Sequence, residues 1–401
     1  MEELAGSIKD GLLAVCVTVG LEVMRRMMDE EVNEVVGVKG KHNKERKAVR
    51  HGVENGSVVL GGRKVRIKRP RVRTRDGQEV RLETYQAFRD AHLLTQAALE
   101  RMLHGLSTRQ YRHGLEPMRE DLEELGTSRS TISRRFREAT RKALAELMSR
   151  PLGDLKLIVL FIDGIEVAGH TVVVAMGLDT GGRKHVLGLW EGATENAAVC
   201  RALLSDLVER GLRMEDGLLV VIDGSKALRA AVRDVLGTSV VIQRCQVHKK
   251  RNVLEHLPEE ARGWVGRKLD RAYNESDYDR ALASLKALAG ALEKEYPGAA
   301  ASLREGLEET LTVLRLGVPE LLQRTLRSTN VIESAFDGVR VAARNVKRWQ
   351  SGEQVLRWTA AGLLEAESRF HRIAGYRDLP ILVQALRKQL FPDQSREVKT
   401  A

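Results

Sequence analysis

The sequence predicts an α/β core on a mixed five-stranded sheet, interrupted by an all-helical insertion and preceded by a mainly helical amino-terminal region. Three observations carry this. Between Leu157 and Ile242, short apolar runs alternate with helical patterns. From about Glu259 to Leu326 only helical spacing occurs, as in Leu282, Leu285, Leu288 and Leu292, then Leu303, Leu307 and Leu311. Before the core lies a basic block, followed by a helix–Gly–helix pattern.

The elements follow in order. Residues 1–86 form a first segment, with a short helical stretch and then the basic block. Between Lys39 and Arg75 stand 14 Lys or Arg against two acids, Glu45 and Glu54, so this block alone accounts for the net charge of +11. Inside it, Gly56–Leu60 and Lys64–Lys68 read as two strands joined by Gly61-Gly62, with Pro70 ending the second. Residues 87–150 read as helical, with apolar spacing supplied by Leu93, Ala97, Leu99 and Leu103 and then by Met118, Leu122 and Leu125. Gly126 stops a helix, and Thr127 or Ser128 caps the next, Ser128-Arg-Ser-Thr-Ile-Ser-Arg-Arg-Phe136. That is a helix-turn-helix pattern, in which Arg129, Arg134 and Arg135 would hold phosphates.

Residues 151–258 are the first part of the core. Strands are expected at Leu157–Ile162, Thr171–Gly177 and His185–Trp190, then a helix from about Glu195 to Arg210. A strand at Leu218–Ile222, a helix at Lys226–Val235, a strand at Ser239–Ile242 and a helix from Cys245 complete it. Three strands in a meander followed by helix, strand, helix, strand, helix is the order of the RNase H-like fold. Residues 259–326 are the helical insertion. Residues 327–401 finish the core with a long helical stretch to about Arg372, and a polar tail after Phe391 that is expected to fray.

Composition narrows the function. Hydrophobic residues make up 43% and charged residues 30% of 401, a globular balance; aromatics at 4% leave the cores to aliphatic side chains. No apolar run reaches the ~18 residues of a membrane span, and the start is not that of a signal peptide. Three distant cysteines, Cys16, Cys200 and Cys245, predict no disulfide framework and fit a reducing cytoplasm. Clustered cations on a neutral body predict a polyanion partner, because they release counterions from phosphates. Lys64, Arg66, Lys68 and Arg69 are the candidate contacts in the hairpin; a solvated basic arm is the plainer reading.

Chemistry is expected at three acids. Asp163 and Asp223 each follow an apolar strand and precede a glycine, in Leu160-Phe-Ile-Asp163-Gly164 and Val221-Ile-Asp223-Gly224. Either alone reads as a strand-ending turn. On neighbouring strands they would meet at the sheet rim, and two close anions call for a cation between them, with oxygen ligands favouring Mg²⁺ or Mn²⁺. Glu333 lies in Ser328-Thr-Asn-Val-Ile-Glu333-Ser, three residues after Asn330, a capping-box spacing. It also begins a stripe with Asp337, Arg340, Arg344 and Lys347, beside an apolar stripe of Ile332, Ala335, Phe336, Val339 and Val346. Three carboxylates could hold two divalent ions for phosphodiester cleavage. Cys245 and His248, at i and i+3, would share a helix face; too few ligands accompany them for zinc, and a buried Cys beside a hydrogen-bonded His is the plainer reading. Lys249, Lys250 and Arg251 follow as phosphate candidates. Glu166 is a weaker metal candidate, Asp179 belongs to a hairpin turn and Asp216 precedes a turn glycine.

These pieces, with Val221-Ile-Asp-Gly-Ser-Lys-Ala-Leu228, Gln243-Arg-Cys-Gln-Val-His248 and the Gly126–Phe136 stretch, resemble in order and spacing the Mutator-type transposases of bacterial insertion sequences. The likeness covers roughly residues 100–370. It implies an RNase H-like core with a DDE triad on Asp163, Asp223 and Glu333, and Mg²⁺-dependent cleavage and strand transfer at terminal inverted repeats. It also implies a supporting role near the active site for Cys245 and His248. Double-stranded DNA is then the partner, with no membrane or small-molecule substrate, and a dimer or larger assembly is expected for pairing two ends. A non-catalytic DNA-binding regulator and a metal-dependent nuclease without strand transfer are the alternatives.

Overall fold

The computed structural model describes residues 2–41, 46–116, 118–119, 122–194, 196–344 and 346–392, without the side chains of 2–14, 91 and 93. Glu45, Glu195, the side chain of Leu93 and the tail from residue 393 therefore lie outside the described residues. The chain divides into two compact units, Met1–Lys142 with Arg344–Val346, and Ala143–Ala343 with Lys347–Ala401.

The first unit starts with α1 (Glu2–Val36), far longer than the short helix expected. Met24, Met28, Val32 and Val36 recur every four residues and are buried together with Val58, Val72, Leu82 and Tyr85. Val15, Val19, Val23 and Met27 form a second, exposed stripe. Strands β1 (Ala48–Leu60) and β2 (Arg63–Thr74) pair antiparallel about Gly61-Gly62, with Leu60 opposite Arg63. Both turn glycines have positive φ (58° and 84°), as the two-residue turn requires. Pro70 does not end β2. It sits opposite Val53, next to a register irregularity, and neither β3 (Glu79–Val80) nor β4 (Glu124–Leu125) reaches it, so the missing N–H costs little.

Helices α2 (Glu83–Arg89) and α3 (Ala91–Leu103) follow. Among the described residues from Leu115 to Gly126 the expected helix is absent. Glu124 and Leu125 instead make β4 on the edge of β2, beside Lys64 and Val65. Arg63, buried, explains this: it donates to the Glu116 carbonyl and pairs with Glu124 at 3.2 Å, which draws this stretch against the sheet. Helix α4 (Arg129–Ser149) does form, and the Ser128 hydroxyl accepts from the Thr131 N–H at 3.3 Å.

The second unit is built on β5 (Leu157–Val167), β6 (His170–Asp179), β7 (Lys184–Glu191), α5 (Ala197–Glu209), β8 (Leu218–Ile222), α6 (Lys226–Leu236), β9 (Val240–Arg244) and α7 (Gln246–Glu255). Its sheet has the order β7-β6-β5-β8-β9; the first three strands are antiparallel, and β5, β8 and β9 run parallel. This is the expected mixed five-stranded sheet.

The insertion carries α8 (Glu259–Tyr273), α9 (Tyr278–Leu292) and α10 (Pro297–Arg304), which share a separate core of Val265, Leu269, Leu285, Leu288 and Leu303. Its last helices, α11 (Thr312–Arg315) and α12 (Glu320–Leu326), place Val313, Leu322 and Leu326 in the sheet core instead. The expected long helix to Arg372 is two helices, α13 (Asn330–Ala343) and α14 (Gly352–Glu367), followed by α15 (Leu379–Leu390). Ser351 caps α14 by accepting from Gln354 N–H, and Trp349 packs edge-on to Trp358, which fixes the break.

Alternation along the strands positions the site. Val159, Phe161 and Ile165 of β5, Leu219 and Val221 of β8, and Val241 of β9 face one core with Ile332, Phe336 and Val339 of α13. Leu160, Ile162, Val220 and Ile242 face the other, with α5 and α6. Asp163, inside β5, shares the parity of the first set and falls toward the α13 side, while Asp223 and Cys245 stand one residue past the ends of β8 and β9.

Candidate active site

Asp163 does not follow β5; it lies inside it, opposite Val174 of β6. What stops at this point is the parallel pairing, whose last pair is Ile162–Ile222. Asp163 and Asp223 thus each stand one residue past that last pair, Asp163 still inside β5 and Asp223 beyond the end of β8. Gly164 serves no turn here, since β5 continues to Val167; its N–H donates to Asp163 Oδ1 at 2.8 Å. Asp223 is held on both oxygens. Ser225 N–H donates to Oδ1 at 2.8 Å and the Thr194 hydroxyl to Oδ2 at 2.9 Å. The Ser225 hydroxyl in turn donates to the Thr194 carbonyl at 2.7 Å.

Glu333 stands in the first turn of α13, half-buried. Asn330 is the first helical residue rather than the cap, and Thr329 takes the position before it: its carbonyl accepts the N–H groups of Ile332 and Glu333. The Glu333 carboxylate receives the Thr329 hydroxyl at 2.8 Å. The arrangement is therefore side chain to side chain, not the reciprocal capping box.

Cys245 caps α7 and is buried; its sulfur receives the His248 N–H and the Thr329 N–H, each at 3.5 Å, and the Thr329 hydroxyl oxygen lies at the same distance. The Thr329 hydroxyl also lies 3.4 Å from His248 Nδ1. Ligand atoms of Asp163, His248 and Glu333 all lie within 4.8 Å of one another, a grouping fit for a metal ion. His248 Nε2 is 4.0 Å from Glu333 Oε1. The buried-thiol reading of Cys245 thus holds, and His248 turns outward to join the acids.

Electrostatics follow from this packing. Burial pushes the Asp163 carboxyl up to about 6; His248 and the Gly164 N–H oppose the rise, and Asp223 adds to it. His248 is raised to about 9, first by its bonding to Cys245, then by Asp163 and Glu333. Burial pushes the Cys245 thiol up, but His248 outweighs burial and brings it below its usual value. An imidazolium among two carboxylates supplies the counter-charge that a divalent ion would otherwise bring.

A family model described as "Transposase, Mutator family" matches residues 3–372. The chain belongs to the Mutator family of transposases. It is 29% identical over 377 residues to the transposase for insertion sequence element ISRM5 of Rhizobium meliloti (strain 1021), covering 92% of this chain and 91% of that one. It is 31% identical over 251 residues to the transposase for IS6120 of Mycolicibacterium smegmatis (61% and 75%). With the transposase for IS406 of Burkholderia multivorans (strain ATCC 17616 / 249), identity is 28% over 342 residues (81% and 84%).

The basic candidates of this family member fare unevenly. Arg69 pairs with Glu54 and lies over the Tyr85 ring at 4.5 Å, and Arg66 pairs with Glu123 at 3.0 Å. Arg71 and Arg73 are taken by Glu79. Lys64 and Lys68 have no ion-pair partner among the described residues. On α4, Arg129 and Arg134 are exposed, whereas Arg135 donates to Thr95 Oγ1 at 3.2 Å. The Glu333 stripe stops early: Arg340 pairs with Asp337 at 2.7 Å, and Arg344, Val346 and Lys347 lie beyond the end of α13, so they continue neither face. Lys249 is buried, donating to the carbonyls of Ser302 and Glu305, and Lys250 pairs with Asp270; only Arg251 of that run stays exposed without a partner among the described residues.

Asp179 caps its hairpin turn as expected, accepting from Gly181 and Arg183 N–H. Asp216 accepts from Arg387. Thr194 and Thr329 are the residues that sequence reasoning passed over. Thr329 sits in the Ser-Thr-Asn motif, where a hydroxyl four residues before an acid was the available signal; Thr194 had none. Among the described residues no helix is long and apolar enough to cross a membrane.

Proposed function

We propose that the chain is a DNA transposase that binds the terminal inverted repeats of an insertion sequence. It would cleave DNA and transfer the freed strand through Asp163, Asp223 and Glu333 in an RNase H-like core. The observation that carries this reading is the convergence of Asp163, His248 and Glu333 within 4.8 Å, with Asp223 one residue past the end of the adjacent strand. Residues 170 positions apart in sequence meet at one rim, and family membership gives that rim a nucleic acid to act on.

Two Mg²⁺ or Mn²⁺ ions are the expected cofactor, and the donor set fits: hard carboxylate oxygens at the rim, with one imidazole that must lose its proton to ligate. Such ions lower the pKa of a water or a DNA 3′-OH and stabilise the leaving oxygen. The chain's own residues do the rest. Thr194 and Ser225 fix the Asp223 carboxylate, and the Gly164 N–H fixes that of Asp163. Thr329 orients Glu333, and the Cys245–His248 pair holds a proton beside the acids. No side-chain nucleophile is called for.

Arg129 and Arg134 of α4 are the cations best exposed for DNA phosphates, with Lys64 and Lys68 of the hairpin beside them in that role. The helix-turn-helix reading is retained only as α4 acting as the docking helix after the Gly126 turn. Pairing of two DNA ends makes a homo-oligomer the working state, and the exposed Val15–Val19–Val23–Met27 stripe of α1 supports a second copy as its occupant.

Purified protein is incubated with duplexes carrying the element's ends, a target plasmid and Mg²⁺ or Mn²⁺. Joined products that vanish in Glu333→Gln and Asp163→Asn support the proposal. Binding with no metal-dependent cleavage sinks it in favour of a regulator, and cleavage without joining leaves a nuclease.

A further inference from the structure

A cavity of about 500 Å³ opens at the end of the sheet away from the acids, where β6 turns into β7. Its lining includes Arg150, Arg183, Lys184, Glu367, Phe370 and Arg372. The register sets the separation. Asp163 is opposite Val174 and Leu157 opposite Asp179, so six residues of β5, about 20 Å, lie between the acids and this turn.

The acids here are already engaged. Glu367 accepts the Val186 N–H at 2.7 Å and pairs with Arg150 at 3.2 Å. Asp179 accepts two turn N–H groups and pairs with His185 at 2.9 Å. Arg183, Lys184 and Arg372 have no carboxylate within ion-pair distance among the described residues. Two segments present them in a fixed relation, because Ile373 N–H donates to the Gly182 carbonyl at 3.1 Å. Lys184 is half-buried over the Phe370 ring at 4.4 Å, and Arg372 lies over the Tyr376 ring at 5.0 Å. An ammonium taken partly out of water with no anion beside it is unfavourable, and its burial does lower the Lys184 pKa. A bound anion removes that cost, and guanidinium forks with an ammonium suit tetrahedral phosphate oxygens.

We propose that this cavity binds a phosphate group, distinct from the one being cut and supplied by the backbone of DNA or by a free phosphate. The site stands on its own geometry and not on the catalytic assignment.

The test uses the full chain, its Arg183→Gln/Lys184→Met/Arg372→Gln variant, and Lys184→Met alone, which keeps the aliphatic stem over Phe370. Affinity for a random-sequence duplex is measured by fluorescence anisotropy between about 50 and about 200 mM salt. A log–log salt slope shallower by about 0.9 or more in the triple variant supports the site with DNA as its source. Calorimetric titration with inorganic phosphate is the second arm. Heat lost in both variants, with an unchanged DNA slope, supports the site with free phosphate as its source. An unchanged slope together with no phosphate heat in the parent overturns the proposal.

Discussion

Asp163→Asn tests the site's electrostatics without any DNA. Burial holds this carboxyl at about 6 instead of 3.8. At 1.36 kcal/mol for each tenfold change in proton affinity, carrying the ionised form at neutral pH costs the metal-free fold ~3 kcal/mol. The folded state binds the proton more tightly than the unfolded chain does. Stability therefore falls as pH rises from about 4 to about 6, and the cost is complete above that window. Asn has nearly the same shape and keeps an acceptor for the Gly164 N–H. The Asp163 charge also helps hold the imidazolium of His248, so part of the gain is returned. The expected result is a variant more stable than its parent by ~1–3 kcal/mol at neutral pH in chelator, an advantage that fades below about pH 4. Urea unfolding at stepped pH measures it. A variant no more stable at neutral pH, or one whose advantage grows in acid, would refute the reasoning. Added Mg²⁺ should reverse the order, stabilising the parent and not the variant.

Three further outcomes are expected. Thr329→Val, which swaps the hydroxyl on Glu333 for a methyl group, should slow single-turnover strand transfer roughly 10- to 100-fold, the worth of one hydrogen bond to a charged group; Thr329→Ser should restore most of the rate, and a valine variant at the parental rate would deny the hydroxyl its role. Arg244 is buried between Glu305 and Glu309 and donates to the Gly224 carbonyl at 3.3 Å; Glu309 keeps Arg229 and Glu305 keeps Lys226, so Arg244→Ala should cost ~1–3 kcal/mol in urea unfolding, the worth of its charged hydrogen bonds, and no measurable change would mean that solvent replaces it. Gly62 has φ +84°, and a Cβ there would meet Arg101 Nη1 at 2.7 Å and Tyr111 Oη at 2.9 Å. Gly62→Ala should therefore destabilise the hairpin unit by more than the ~1 kcal/mol of backbone strain alone, seen as earlier proteolysis of that unit.

The core strands were legible because each is a continuous apolar run bounded by turn residues, the mark of a strand buried on both faces. The helix before Gly126 was misread for a physical reason. Met118, Leu122 and Leu125 have helical spacing, but Arg63, far away in sequence, needs partners at Glu116 and Glu124 and draws the stretch to the sheet edge. The charge count failed similarly. Between Lys39 and Arg75 stand 14 cations and two acids, yet Glu79, just outside that window, pairs with Arg71 and Arg73, and Glu123, far beyond it in sequence, pairs with Arg66. At the site, Asp223 could be named from a strand end and Glu333 from a helix start, whereas the apolar run before Asp163 was no strand end, since β5 continues through it to Val167. The roles of Thr194 and Thr329 could not be named, since a threonine's meaning depends on which carboxylate the fold brings to it.

His248 shows how the site closes. Glu333 lies 110 residues after Asp223, with the helical insertion between them, yet its position does not depend on that long excursion. Cys245 N–H donates to the Ile222 carbonyl at 2.8 Å, tying the start of α7 to the end of β8. Gln246 N–H donates to the Arg327 carbonyl at 3.0 Å, closing the insertion at its base. Thr329 then reaches Cys245 Sγ with its N–H and Glu333 with its hydroxyl. Closing a loop costs entropy that grows only with the logarithm of its length, so an insertion with a core of its own, held at its base by such bonds, leaves the candidate site little changed. The Cys245–His248 pair is in that sense the latch between the two halves of the core. Replacing the sulfur should loosen both the first turn of α7, where it caps His248 N–H, and the start of α13 at Thr329, while Asp223 keeps its own bonds to Ser225 and Thr194.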